Sequence, residues 1–194
     1  MLVLMLVLSG CSGKNQGNTQ SKGINKTITL QMRQMDSFNP LFVTHHSVRD
    51  VFSLCYEPLF SVNNKIEAEG ILARNIEISD DCLSAIITLK DSVLWHDGVK
   101  FTSADVIHTI NLLKENPSSE YSQCVKHIES AEPIDPLSLR INLSRPYGQI
   151  AYSLTFPVVA SHNGELDTNM VGTGAYKLSK YTPATTLALT NNDK

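Results

Sequence analysis

The sequence predicts a mixed α/β (α+β) fold, and three observations carry that expectation. Ala85, Ile87 and Leu89 alternate with Ile86, Thr88 and Lys90, the period of two expected of a strand with one buried face. Val48, Val51, Phe52 and Cys55 recur at helical spacing, and so do Val106, Ile107, Ile110 and Leu113. Between that strand and the second helix lies Asp97-Gly98, a dipeptide with turn chemistry because glycine takes a positive φ without steric cost. The single tryptophan of the chain, Trp95, stands directly before His96-Asp97-Gly98.

The elements follow in order. Met1 to Leu8 is wholly apolar. It is too short to span a bilayer, which takes about 20 residues, and it suits the h-region of a secretory signal, about 7–15 residues. Leu8-Ser9-Gly10-Cys11 resembles a bacterial lipobox, with Cys11 as the lipidated residue. No Lys or Arg precedes the apolar run, so a basic start is expected upstream unless the segment is trimmed. Residues 1–11 therefore read as a lipoprotein signal peptide, against the alternative of a short buried strand with a chance cysteine. Residues 12–25 are Ser, Gly, Asn, Gln, Lys and Thr with one isoleucine, which cannot bury a core and read as a flexible tether.

Lys26 to Arg33 alternates, with Ile28, Leu30 and Met32 on one face, and predicts a first strand. Gln34 to Leu41 is a loop punctuated by Asn39-Pro40. Ser47-Val48-Arg49-Asp50 has capping-box spacing and predicts the start of a helix that ends before Pro58. Leu59 to Val62, a turn at Asn63-Asn64 and a stretch from about Gly70 to Ile78 lead into the alternating strand. Thr102 precedes Asp105 by three residues, an acidic capping box for the helix that follows. Asn116-Pro117-Ser118-Ser119 is a loop. Val125 to Ala131 and Leu137 to Leu143 predict two strands joined around Pro133-Ile134-Asp135-Pro136, with Leu139, Ile141 and Leu143 on one side. Gly148 to Leu154 reads as a short helix and Phe156-Pro157-Val158-Val159 as an apolar return.

Composition narrows the function by exclusion. The net charge of −3 offers no basic surfeit for nucleic acid. The four cysteines are Cys11, Cys55, Cys82 and Cys124. With Cys11 lipidated, the other three allow one disulfide plus a free thiol, or three small core residues; their spacing does not suit a metal knuckle. His45-His46 invites a metal reading, but zinc sites usually need i, i+4 spacing or a third ligand. There is no His-Glu-x-x-His and no Gly-x-Ser-x-Gly. A turn accounts for His96-Asp97 without a catalytic role, and Gly172-Thr173-Gly174 lacks the lysine-serine pair of a phosphate loop. No catalytic residue, no cofactor and no metal site is expected.

The stretch Leu89-Lys90-Asp91-Ser92-Val93-Leu94-Trp95-His96-Asp97-Gly98-Val99-Lys100-Phe101-Thr102-Ser103-Ala104-Asp105-Val106 resembles the signature block of the family 5 extracellular solute-binding proteins, the oligopeptide, dipeptide and nickel receptors of ABC importers. Trp95, Asp97 and Gly98 carry that signature. Tyr56-Glu57-Pro58-Leu59-Phe60 resembles the family's helix exit, and Val171 to Leu178 its Gly-Thr-Gly-Pro-Tyr-like segment, with Ala175 in place of the proline.

The resemblance implies part of a class II periplasmic-binding-protein fold, the N-terminal lobe only. Residues 26–194 would form that lobe, with a smaller subdomain at about 50–165, cut short before the second lobe. It implies a lipid-anchored receptor outside the cytoplasmic membrane, at the cell surface or in the periplasm. Such a receptor is expected to be a monomer that binds oligopeptide or dipeptide ligands and delivers them to the permease subunits of an ABC transporter. Thr44, His45 and His46 fall where family members line the cleft, and Tyr121 where the family often places a ligand-facing aromatic. The alternatives are a nickel or metal-chelate receptor on the same scaffold, suggested by His45-His46, a truncated fragment that binds nothing, and, more distantly, an exported hydrolase.

Overall fold

A computed structural model describes residues 32–163 and 169–192. The expected signal peptide with Cys11, the expected tether and most of the expected 26–33 strand lie outside the described residues. Met32 and Arg33, its described end, are not in a strand.

The first helix, α1, spans His46–Phe52 and buries Val48, Val51 and Phe52. Three of the four expected stripe residues are therefore on the helix, while Cys55 is buried in the turn beyond its end, and the capping box is absent. The helix starts two residues before the position expected from Ser47, with His45 as N-cap and no side-chain cap. The Ser47 hydroxyl instead accepts the Arg33 N–H at 3.2 Å. A two-stranded hairpin follows, β1 (Phe60–Val62) with β2 (Ala68–Gly70). Its turn is organised by Asn63, whose Oδ1 accepts the N–H groups of Lys65 at 2.9 Å and Glu67 at 3.1 Å.

The central sheet contains β3 (Ala73–Ile78), β4 (Ser84–Leu89), β5 (Ile128–Asp135) and β6 (Ser138–Leu143). Its order is β3-β4-β6-β5, antiparallel throughout. Ala85, Ile87 and Leu89 of β4 are buried, as are Leu139, Ile141 and Leu143 of β6, so the alternation seen in the sequence maps onto one face. The β5–β6 turn is tighter than expected. Pro133, Ile134 and Asp135 are still in β5, and the turn is made at Pro136–Leu137. Pro133 is tolerated there because β5 is an edge strand, where one side of the backbone needs no ladder partner.

Helix α2 (Ser103–Glu115) packs against β5. Val106, Ile110 and Leu113 are fully buried, each worth roughly 1.5–3 kcal/mol of transfer free energy. Ile107, expected in the stripe, is only half-buried. The buried positions around the stripe are polar instead: Ser103, Asp105 and Thr109. The reason is the apolar return at Phe156–Ala160, which docks on this side of the helix. The Thr109 hydroxyl accepts the Val159 N–H at 3.1 Å and donates to the Asp105 carbonyl at 2.8 Å.

A 3-10 turn at Ser122–Cys124 and a short helix α3 (Ile150–Ser153) precede the last hairpin, β7 (Tyr176–Thr182) with β8 (Thr186–Asn191). Cys55, Cys82 and Cys124 are free thiols. Cys55 is fully buried and burial pushes its thiol up to about 12; the other two are half-buried rather than core.

One carboxylate joins these parts. Asp105, almost fully buried, accepts the Thr102 N–H at 2.9 Å through Oδ2, the reciprocal arm of the expected capping box. The same oxygen accepts the indole N–H of Trp95 at 3.2 Å. Its Oδ1 accepts both the N–H and the hydroxyl of Ser161, at 2.8 and 2.7 Å. Asp105→Ala should therefore strand several buried donors and lower stability by roughly 3 kcal/mol or more. Urea unfolding followed through Trp95 fluorescence measures this; an unchanged midpoint would contradict the bridging role.

Candidate functional site

The signature turn is built from local rules and then locked from a distance. Gly98 has φ +90°, the left-handed region that favours glycine. Asp97 Oδ1 accepts the Val99 N–H at 3.0 Å, and Asp97 Oδ2 pairs with His162 Nε2 at 2.7 Å. Trp95 is wholly buried, with the Phe101 ring edge-on at 5.8 Å. Trp95, Asp97 and Gly98 thus shape a turn and anchor it, and none of the three lines the groove described below.

His96 joins this turn to the segment before β7. Its backbone N–H donates to the Gly172 carbonyl at 2.8 Å. Its Nδ1 accepts the Gly172 N–H at 3.1 Å, and its Nε2 donates to the Gly174 carbonyl at 3.0 Å. That pattern requires the neutral Nε2–H tautomer and engages both ring nitrogens with backbone. On the other side, Gly174 N–H donates to the Cys55 carbonyl at 2.9 Å. A Cβ at Gly172 would lie 1.8 Å from the Cys55 oxygen, and one at Gly174 would lie 2.5 Å from that of Leu54. The Gly-Thr-Gly pattern is thus a close approach of two backbones, a requirement unrelated to phosphate.

A groove of about 190 Å³ opens where two loop crossings meet helix α1. Pro40 lies on the loop after Asn39, whose Oδ1 accepts the Leu41 N–H at 3.0 Å. That loop is tied to the segment before Tyr121 by the buried Ser119 hydroxyl, which donates to the Leu41 carbonyl at 2.6 Å. Pro58 and Pro157 form an isolated antiparallel bridge, which sets Tyr56 and Pro58 beside Thr155 and Pro157. Helix α1 supplies Arg49 and Phe52, with Ser53 just past its end. Tyr121 completes the wall.

Arg49 is the charged side chain among these lining residues. It forms an ion pair with Glu120, and a second guanidinium nitrogen donates to His46 Nδ1 at 3.1 Å. Burial raises the pKa of Tyr121, opposed by the nearby Arg49 cation. Burial likewise raises that of Tyr56.

Of the residues the sequence singled out for ligand contact, Tyr121 lines the groove and the other three do not. Thr44 donates both its N–H, at 3.0 Å, and its hydroxyl to Asp36. His45 caps α1 and His46 is its first residue, reaching the groove only through Arg49. Among the described residues, no group of three or more His, Cys, Asp or Glu side chains could hold a metal ion. Arg49 was missed by sequence reasoning. The available signal was its spacing, three residues from His46 and four from His45, which puts it on their face of the helix.

Comparison with known proteins gives three consistent findings. Residues 67–194 match the family model described as bacterial extracellular solute-binding proteins, family 5, middle. The glutathione-binding protein GsiB of Salmonella paratyphi A is 27% identical over 136 residues, covering 65% of this chain and 26% of the relative. Among solved structures, NikZ from Campylobacter jejuni in complex with Ni(L-His) superposes with a TM-score of 0.74 at 28% identity, covering 83% of this chain and 34% of that one. NikA from Brucella suis in complex with Fe(III)-EDTA gives 0.71 at 26% identity, covering 82% and 34%. The chain thus spans about a quarter of the length of the curated relative and about a third of either solved chain.

Two carboxylates outside the groove, Asp36 and Asp97, set an acid response. Burial alone would raise the pKa of Asp36, but the hydroxyl and N–H of Thr44 outweigh it and leave the group below its ordinary value. Burial also opposes the shift at Asp97, where His162 and the Val99 N–H win. A folded pKa below the unfolded one means that the stabilisation is complete above the unfolded value, about 3.9, and is lost as pH falls through the folded value. Stability should therefore decline on acidification below about pH 4. The Asp36→Asn, Asp97→Asn double variant should start lower and show a shallower decline across that window, read from unfolding midpoints at stepped pH.

Proposed function

The chain belongs to the bacterial extracellular solute-binding proteins, family 5, and from that premise we propose that it supplies one wall of the ligand cleft of an ABC importer's substrate receptor. The ligand is a peptide, captured outside the cytoplasmic membrane and delivered to the permease subunits. One observation carries the ligand reading: a single cation, Arg49, set into a groove walled mainly by Phe52, Tyr56, Tyr121 and prolines, with Ser53 and Thr155 as its hydroxyl groups. A guanidinium in a partly dry, aromatic setting takes carboxylates through paired N–H donors. The ligands named for the relatives are glutathione, a nickel–histidine complex and Fe(III)-EDTA, and each carries carboxylates. Backbone and terminal carboxylate recognition tolerates varied side chains, and capture followed by closure of two lobes needs no bond-breaking step.

A metal chelate is the second reading, favoured by the likeness to NikZ and NikA. In it Arg49 would hold the chelator's carboxylate. Direct metal binding by His46 is disfavoured, because its Nδ1 already accepts a hydrogen bond from Arg49. His45 and His46 then act indirectly, by starting α1 and holding Arg49, while Thr44 is engaged by Asp36.

Titrating short peptides into the chain while observing its backbone amides should perturb Arg49, Phe52 and Tyr121. Arg49→Ala should weaken the response about tenfold, the loss of one charge-assisted contact. Unperturbed groove resonances at millimolar peptide, or an equal response from the variant, would defeat this reading. A response to a nickel–histidine complex but not to peptides would favour the chelate.

Attachment to the membrane through a lipid on Cys11 belongs to the same proposal, supported by the lipobox-like Leu8-Ser9-Gly10-Cys11. Two acyl chains or an equivalent second signal are needed for stable anchoring. Cys11→Ser should move the exported protein from the membrane to the soluble fraction; retention after a salt wash would refute the anchor.

A further inference from the structure

A second depression, of about 290 Å³, lies on the other side of the 3-10 turn from Tyr121. Lys126, His127 and Arg145 line it together with Gln123, Tyr147 and Tyr152. The sheet brings the cations together. Ile128 pairs with Leu143 at the end of the β5–β6 ladder, and the Ser144 N–H donates to the His127 carbonyl at 3.0 Å. Residues 126–127 and 145 therefore meet across the same strand end. No carboxylate lines the depression, and among the described residues none of the three basic side chains is in an ion pair. This is an unusual convergence in a chain of net charge −3.

We propose that this depression is a binding site for an oxyanion of the phosphate class. Among the described residues His127 Nε2 is buried and has no hydrogen-bond partner, a state that costs free energy unless a water or a ligand completes it. A phosphate oxygen there would accept an imidazole N–H and lie between the Lys126 ammonium and the Arg145 guanidinium. Tyr147 adds a hydroxyl, which already accepts from Ser153 at 3.2 Å and retains its own proton to donate; its ring packs edge-on to His127 at 6.0 Å. A tetrahedral anion with several acceptor oxygens matches donors arriving from several directions. Burial, then the Arg145 and Lys126 cations, hold the His127 pKa below its ordinary value, so those charges act on the imidazole and an anion would offset them. The phosphate group could be free or could be the headgroup of a lipid.

The test follows the ring resonances of His127 by NMR in phosphate-free buffer, with His127→Gln identifying them among the six histidines. Inorganic phosphate should shift them saturably and raise the His127 pKa. In the Lys126→Ala, Arg145→Ala double variant the affinity should fall about tenfold or more. Both substituted residues are exposed, so the unfolding midpoint should be unchanged. In parallel, the chain is sedimented with phosphatidylglycerol vesicles and with phosphatidylcholine vesicles. Retention on the first alone, lost in the double variant, assigns the phosphate to a lipid headgroup. A phosphate response without vesicle retention assigns it to a free anion. The absence of both, or responses equal in the double variant, would overturn the site.

Discussion

The buried carboxylate of Asp105 is the constraint on which the rest of this architecture depends. A carboxyl group that is almost fully excluded from water is tolerated only when its oxygens are met by donors. Here the donors come from three separate parts of the chain: the indole of Trp95, the backbone of Thr102, and the backbone and hydroxyl of Ser161. Satisfying one residue therefore fixes the signature turn, the start of α2 and the returning strand-like segment relative to one another. The tryptophan matters here as much for its N–H as for its apolar area.

A second lock works without charge. His96 grips the backbone of Gly172 and Gly174, while the same segment presses against the carbonyls of Leu54 and Cys55. The exit of α1, the signature turn and the approach to β7 are thereby held in one stack. The groove sits beside that stack, and its walls come from segments far apart in sequence: Pro40, helix α1, Tyr121 and the Thr155–Pro157 return. Phe52 and Tyr56 of the groove belong to the buried core, and Arg49 is held from outside by Glu120 and His46.

Charge is distributed with the same economy. Arg49 is held by Glu120 and His46, so the groove presents a cation without leaving it loose. Among the described residues Lys126, His127 and Arg145 have no such ion-pair restraint, and this contrast separates the two depressions chemically.

Local patterns were read from the sequence by itself. The alternation of Ala85, Ile87 and Leu89, the reach of Asp105 back to Thr102, the turn at Gly98 and the family resemblance all rest on residues adjacent or one helical turn apart, where sterics and hydrogen-bond geometry act over short spans. Where sequence reasoning missed, a distant partner had intervened: Ser47 bonds Arg33 instead of capping α1, and Ile107 gives way to Thr109 because Val159 docks there. Only the tertiary structure decided that Arg49 rather than the paired histidines faces the groove, that the two glycines serve a backbone crossing, and that His127 meets Arg145. Each of these depends on contacts between segments tens of residues apart, and no periodicity along the chain encodes which segment will arrive.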